Sequence, residues 1–263
     1  MKYCVDFTKD FKYLDKVDEL RININSNTKQ NPLPFMAEFP DKRIIIDAEV
    51  VSDYLIRSLA TVRKEHPELN FTVAIKYKDK KHIEDFKEKD IPFFFSNFVA
   101  DWDKLQGFLS FGVTDMYIVE NLGFELDRVA AILHERGVKV RVFPNMSQSS
   151  YLETPALKQF FIRPEDIEVY DPYVDVCELV GGKKQLSVYY KIYAMDKKWF
   201  GPLREIIIGF DNDLDSRFVL PPFAARRIKC GKRCFKGLPC NICDRIASAA
   251  KTLEDNNLLI KKS

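Results

Sequence analysis

Short apolar or alternating runs and segments with helical periodicity take turns along roughly the first two thirds of the chain. Glu19–Ile24 sets Leu20, Ile22 and Ile24 against Arg21 and Asn23, the two-residue period of a strand. Tyr3–Phe7, Arg43–Ile46, Phe71–Ile75, Ile91–Phe95, Met116–Val119, Val138–Phe143 and Val174–Leu179 are further β-rich runs. Between them, Leu55, Ile56, Leu59 and Val62 fall at helical spacing, which predicts a helix from an N-cap at Ser52 to His66, stopped by Pro67. Lys80–Lys89 reads as a charged surface helix, Asp101–Phe111 as a helix, and Leu126–Arg136 as a helix closed by Gly137. A brief helix is expected over Thr154–Gln159, and a loop around Pro32 and Pro34.

About eight strands with helices between most of them argue for a parallel sheet, and the count is that of a small, irregular (β/α)8 TIM-like barrel over residues 1–182. An open doubly wound sheet would call for a glycine-rich turn after an early strand. The chain has 10 glycines, and none lies before Gly107. Residues 183–263 have a different texture and form a C-terminal extension. Within it Gln185–Ala194 suits helix or strand, and Glu205–Phe210 is strand-like. Asp211–Asp215 is an acidic loop, and a helix is expected from about Asn241 to Leu253.

Composition narrows the class. With 46% hydrophobic residues among 263, a sizeable core is affordable, while a formal net charge of +2 is not that of a globally basic nucleic-acid binder. No run approaches the roughly 18 apolar residues of a membrane span. Asp6, Lys9, Asp10 and Lys12 interrupt any apolar leader, so a cytoplasmic location and no membrane partner are expected.

Cys230, Cys234, Cys240 and Cys243 form a C-x3-C-x5-C-x2-C cluster inside the extension. Four thiolates can close a tetrahedral shell around Zn2+ or hold a [4Fe-4S] cluster, and the spacing does not choose between them. The cluster follows and overlaps a basic run; cations beside thiols favour the ligating thiolate. The same cations, Lys229, Lys232, Arg233 and Lys236, could instead meet a nucleic-acid backbone or another anion. Cys4 and Cys177 lie far away in sequence and read as small buried hydrophobes.

In a barrel, residues just after the strands line the chemical face. These are Asp6, Asn25, Asp47, Glu49, Lys76, Asn97, Glu120, Asn121, Asn145, Arg163, Glu165, Asp166 and Glu178. Glu49, Glu120, Asn145 and Arg163 are the catalytic candidates. Arg163 either forks a carboxylate or phosphate of the substrate or belongs to a turn at Pro164. There is no G-x-S-x-G elbow, H-E-x-x-H, P-loop or dinucleotide fingerprint. His66, His82 and His134 fall on charged segments and are expected to face solvent.

The strand series through Asp115–Glu120 and Val138–Asn145, Glu178-Leu179 on a late strand, and the four cysteines resemble the peptidase U32 family. Its members disperse their cysteines, whereas this chain packs them together, and the family's late motif, with histidine and glycine beside the first cysteine, is not visible here. The resemblance implies an oxygen-sensitive [4Fe-4S] cluster and hydroxylation of RNA bases or a quinone precursor, with collagenase-like proteases as the other branch. The leading expectation is a metal-cluster barrel enzyme that modifies RNA or a related polar or anionic substrate. The alternatives are a non-catalytic scaffold or nucleic-acid-binding protein with a structural zinc clip, and a U32-type peptidase.

Overall fold

The computed structural model describes residues 1–24, 31–147, 160–210, 214–218, 222–230, 243–245, 248–249 and 252. Nine strands run parallel: β1 (Lys2–Asp6), β2 (Glu19–Ile24), β3 (Arg43–Ala48), β4 (Phe71–Ile75), β5 (Phe93–Phe95), β6 (Phe98–Val99), β7 (Asp115–Ile118), β8 (Lys139–Val142) and β9 (Val176–Leu179). Their ladder order is β5-β4-β3-β2-β1-β9-β8-β7-β6. Only Ser96 and Asn97 separate β5 from β6, so both ends of the ladder belong to one stretch of chain. The Thr114 N–H and Oγ1 donate to the Phe93 carbonyl at 2.9 and 3.2 Å, which ties β5 to the foot of β7. The nine strands therefore act as the eight staves of a (β/α)8 barrel.

Local rules place most of the helices. In α2 (Asp53–Glu65), the Ser52 side chain accepts from the Leu55 N–H at 3.2 Å. In α4 (Trp102–Leu109), Asp101 accepts from the Lys104 N–H at 2.8 Å. Between these two helices, a 3-10 turn (Tyr77–His82) leads into α3 (Ile83–Glu88). A short helix, α5 (Glu120–Gly123), precedes α6 (Leu126–Glu135), and Gly137 follows α6 at φ 69°, the left-handed conformation that a helix end favours. After β8, α7 (Ile167–Tyr170) precedes the last strand, and α8 (Lys183–Tyr190) follows it. A π-helical turn (Lys191–Asp196) continues α8. Ser187 Oγ accepts from the Lys12 N–H at 3.0 Å, and the Tyr190 hydroxyl donates to the Lys16 carbonyl at 2.9 Å. Residues 183–196, in the extension by composition, thus pack as the eighth helix of the barrel.

Two sequence expectations are corrected. The Pro32–Pro34 segment is not a loop, because Leu33–Glu38 forms a helix, α1. Proline costs nothing in a first helical turn, where the N–H has no partner anyway. Glu205–Phe210 is not a strand. It contributes a 3-10 turn and one isolated bridge, Met146 to Ile208. The strand ladder is nearly closed without this segment, and Ile206 and Ile207 are buried in the core instead. The expected Thr154–Gln159 helix and most of the Asn241–Leu253 helix lie outside the described residues, as does Asn25. No helix of the described residues is long and apolar enough to cross a membrane.

Candidate active site at the barrel mouth

The outer strand faces pack against helices and must be apolar, so the alternate polar residues point into the lumen. Hydrogen bonds between non-adjacent strands show this directly. Arg43 on β3 reaches Asp115 on β7 at 2.6 and 2.8 Å. Arg141 on β8 reaches Glu19 on β2 at 2.7 Å, and Asp115 and Glu178 at 3.1 Å. Arg21 on β2 bonds Tyr117 on β7 and pairs with Glu178 on β9 at 3.0 Å. Tyr117 donates to Glu178 at 2.5 Å. Arg21, Arg43 and Arg141 thus face Glu19, Asp115 and Glu178, and the charges cancel. Cys4 sits beside these groups, and burial pushes its thiol pKa up, which leaves it inert. Cys177 is likewise fully buried.

Burial alone would raise the pKa of Asp115, but the Arg43 hydrogen bond and the Arg141 charge outweigh it and hold the carboxyl well below the usual range. Glu178 is lowered by Arg21 and Arg141 against the same burial penalty. A depressed carboxylate contributes stability that is complete above its unfolded pKa and is lost only as pH falls through the folded value. The barrel should therefore keep its circular dichroism signal through pH ~4, the ordinary carboxylate range, and unfold below it. A midpoint at or above that range would contradict this account of the lumen.

Above the lattice, at the C-terminal ends of the strands, lies a cavity of about 450 Å3. Asp6, Asp47 and Glu178 supply its carboxylates, and Arg21 and Lys76 its cations. Asn23, Ser96 and Tyr117 add neutral polar groups. Phe98, Phe143 and Met146 form part of an apolar wall, with Tyr117 and Phe143 stacked at 4.8 Å. Arg21 donates to Asp47 at 2.9 Å. Asp6 accepts no hydrogen bond among the described residues. Burial, followed by the nearby Glu178 charge, raises its pKa, and Arg21 only partly offsets this. A half-buried carboxyl with a raised pKa that faces a cavity is suited to proton transfer. Beyond the balanced lattice, the mouth carries Asp6 and Asp47 against Lys76, one negative charge in excess.

Of the strand-end candidates, Asp6, Asp47, Lys76 and Glu178 meet in this cavity. Of the catalytic candidates, Glu49, Asn145 and Arg163 do not line it. Glu49 is exposed beyond β3. Asn145 is fully buried and grips the Val180 backbone in both directions, at 2.7 and 3.1 Å, which holds the ends of β8 and β9 together. Arg163 forks Asp166 at 2.6 and 2.7 Å and donates to the Ser216 carbonyl at 3.0 Å, the turn role rather than a mouth role. Glu165 accepts from the Trp199 N–H and the Ser216 hydroxyl. The side chains of Glu120 and Asn121 lie outside the described residues. No histidine lines the cavity. His134 is exposed and pairs with Asp175 at 2.8 Å, His66 is partly exposed, and His82 is mostly covered beside Asp85.

Cys230 and Cys243 are half-buried and pack against the core. Cys230 follows α9 (Pro222–Ile228), whose Arg227 is buried. Arg227 donates to the Phe161 carbonyl at 2.9 Å and lies 4.4 Å from that ring and 5.1 Å from Phe124. Phe160 packs alongside, so close to Gly123 that a Cβ there would sit 2.5 Å from its ring. Burial pulls the Arg227 pKa down, while Tyr170, Cys243, Asp166 and Cys230 push it up. Two of the four cysteines therefore share one buried cation, and the donor set fits a thiophilic metal. Cys234, Cys240, Lys232, Arg233 and Lys236 lie outside the described residues, and Lys229 is exposed. Among the described residues no group of three or more possible ligands gathers.

No known protein family matches the sequence, and no curated protein does. Several solved structures resemble the chain distantly. One is a protein of Aquifex aeolicus VF5, at 12% identity and TM-score 0.34, covering 84% of this chain and 96% of that one. Another is a 4-hydroxy-2-oxoglutarate aldolase/2-deydro-3-deoxyphosphogluconate aldolase from TTHB1, at 11% identity and TM-score 0.31, covering 67% and 90%. Likeness at this level carries no functional argument, and the barrel assignment rests on the strand ladder itself.

Proposed function

We propose that this chain is a barrel enzyme that modifies RNA or a related polar substrate, with proton transfer at Asp6 and a metal held by Cys230, Cys234, Cys240 and Cys243. The observation that carries it is the Asp6 carboxyl, without a hydrogen-bond partner among the described residues, facing a cavity at the barrel's chemical end. The excess negative charge of the mouth favours a donor-rich group, such as the amine edge of a base, and disfavours a phosphate. The stacked Tyr117 and Phe143 rings offer an apolar flank to a planar ring. A [4Fe-4S] cluster at the cysteines would supply electron transfer, in keeping with U32-like hydroxylation. Arg227 would balance the negative charge of its thiolates.

A second reading has its own support. Neither Cys230 nor Cys243 lines the mouth cavity, and both pack on the core beside α9. A structural zinc clip that staples the C-terminal segment to a scaffold or nucleic-acid-binding barrel fits that placement. The peptidase reading has less support, because the Ser96 hydroxyl donates to the Ile75 carbonyl at 3.3 Å and no histidine stands near it.

Anaerobic purification followed by metal and sulfide analysis decides between the first two. A brown protein with iron and sulfide, depleted of both in Cys230→Ser and Cys243→Ser, is the expected result. A colourless protein with one zinc per chain would sink the redox reading and leave the clip. For the enzyme reading, RNA from cells that express the chain should contain a nucleoside heavier by one oxygen atom that RNA from cells without it lacks, read by mass spectrometry, with the cell supplying the oxygen donor and the electron acceptor.

A further inference from the structure

A second depression, of about 1020 Å3, runs along the outer flank between the β1–β2 connection and α8. It shares no lining residue with the mouth cavity. Lys12, Lys184, Lys191 and Lys198 line it and are all exposed, against Asp10 and Asp196. Lys191 is paired with Asp196. Lys12, Lys184 and Lys198 form no ion pair among the described residues. Phe200, 57% exposed, and the half-buried Trp199, whose Nε1 donates to the Pro202 carbonyl at 3.1 Å, line the same depression.

Unpaired lysines that track a groove, with aromatic faces between them, are the elements that hold a single strand: cations for the phosphates and rings for the bases. We infer that this flank groove binds single-stranded nucleic acid, with Lys12, Lys184 and Lys198 on the backbone and Phe200 and Trp199 stacking bases. The concave shape distinguishes it from a membrane-docking face, which presents its apolar residues on a protruding or flat surface. The inference stands on the groove alone and does not depend on the chemistry of the mouth.

The test is fluorescence anisotropy of a labelled oligouridine and an oligo-dT of about one groove length with the full chain. Binding should weaken with salt at a slope of about −2 in log K against log salt, the value for three phosphate contacts on a single strand. Reversing the charges in Lys12→Glu, Lys184→Glu and Lys198→Glu together should abolish binding. Phe200→Ala should weaken it roughly tenfold and leave the salt slope unchanged. Lys64→Glu, exposed on α2 and outside both cavities, should bind as the native chain does, which shows that the loss belongs to the groove. Absence of binding at low salt would overturn the inference. So would binding that survives the triple variant but is lost on reversing Lys229, Lys232, Arg233 and Lys236. Retention on phosphatidylserine vesicles or polyglutamate without oligonucleotide binding would assign the groove to another partner and equally overturn it.

Discussion

Replacing Asp6 with Asn is expected to stabilise the barrel at neutral pH and to remove the proposed proton transfer. The physical cause of both effects is the same. Burial and the Glu178 charge hold the Asp6 pKa above the ordinary carboxylate value, so the ionised form is at a disadvantage in the folded state. A raised carboxyl contributes stability that is complete below its unfolded pKa and is lost as pH rises through the folded value. At pH 7 the native chain bears that cost, and the amide variant, similar in shape and without charge, does not. The melting temperature should rise by about 2–4 °C for each kcal/mol relieved. As pH falls toward the ordinary carboxylate range Asp6 takes up its proton, and the difference between the two melting temperatures should narrow. Loss of a proton-transfer group costs about 10²–10⁴-fold in rate. Formation of the modified nucleoside in cells that express the variant should fall by that factor, while cysteine-bound metal is unchanged. A variant less stable at neutral pH would mean that Asp6 is a structural group, and full turnover would remove it from the mechanism.

The lumen makes the second large prediction. Arg141 is completely buried and serves Glu19, Asp115 and Glu178 at once. Arg141→Met keeps the bulk and leaves one uncompensated negative charge inside the barrel. Removing one partner of a buried ionic set costs about 3–5 kcal/mol. That is a large part of the roughly 5–15 kcal/mol by which a domain is stable. Urea unfolding followed by circular dichroism should show the loss directly. The pair Arg141→Met with Glu178→Gln restores neutrality, and it should recover part of the loss, so that the two changes are not additive. A single variant within about 1 kcal/mol of the native chain would show that the lumen tolerates the charge and that water or rearrangement supplies what Arg141 gave.

The route from sequence to site failed at one identifiable step. Arg21 and Asn23 alternate with Leu20, Ile22 and Ile24, and such alternation ordinarily puts the polar residues in water. In a barrel whose outer face is sheathed by helices, the water-facing side of a strand does not exist, so the polar alternates go inward. Arg21 and Tyr117 belong to the site for that reason, and the pattern Glu19-Leu20-Arg21 with Lys139-Val140-Arg141 already carried it once a barrel was expected. Asn145 was legible as a strand-end residue but not as a backbone clamp, and Arg163 as a turn residue but not in its contact with the Ser216 carbonyl. Their partners, Val180 and Ser216, lie 35 and 53 positions away.

What the sequence determined by itself was local or periodic. The Ser52 and Asp101 caps, the Gly137 helix end, the parallel strand runs and the choice of a barrel over an open sheet follow from residues within one or two turns of each other, or from their repetition. The four cysteines and their basic surroundings were equally visible, since ligand spacing is a property of the chain. The tertiary structure alone decided which charges share the lumen, that Asp6 faces the mouth with no hydrogen-bond partner among the described residues while Glu49 stays outside it, and that Cys230 and Cys243 come within electrostatic reach of the same buried Arg227. Those are matters of distance between residues far apart in sequence. They depend on the closure of the barrel, which sets the inward face of every strand at once.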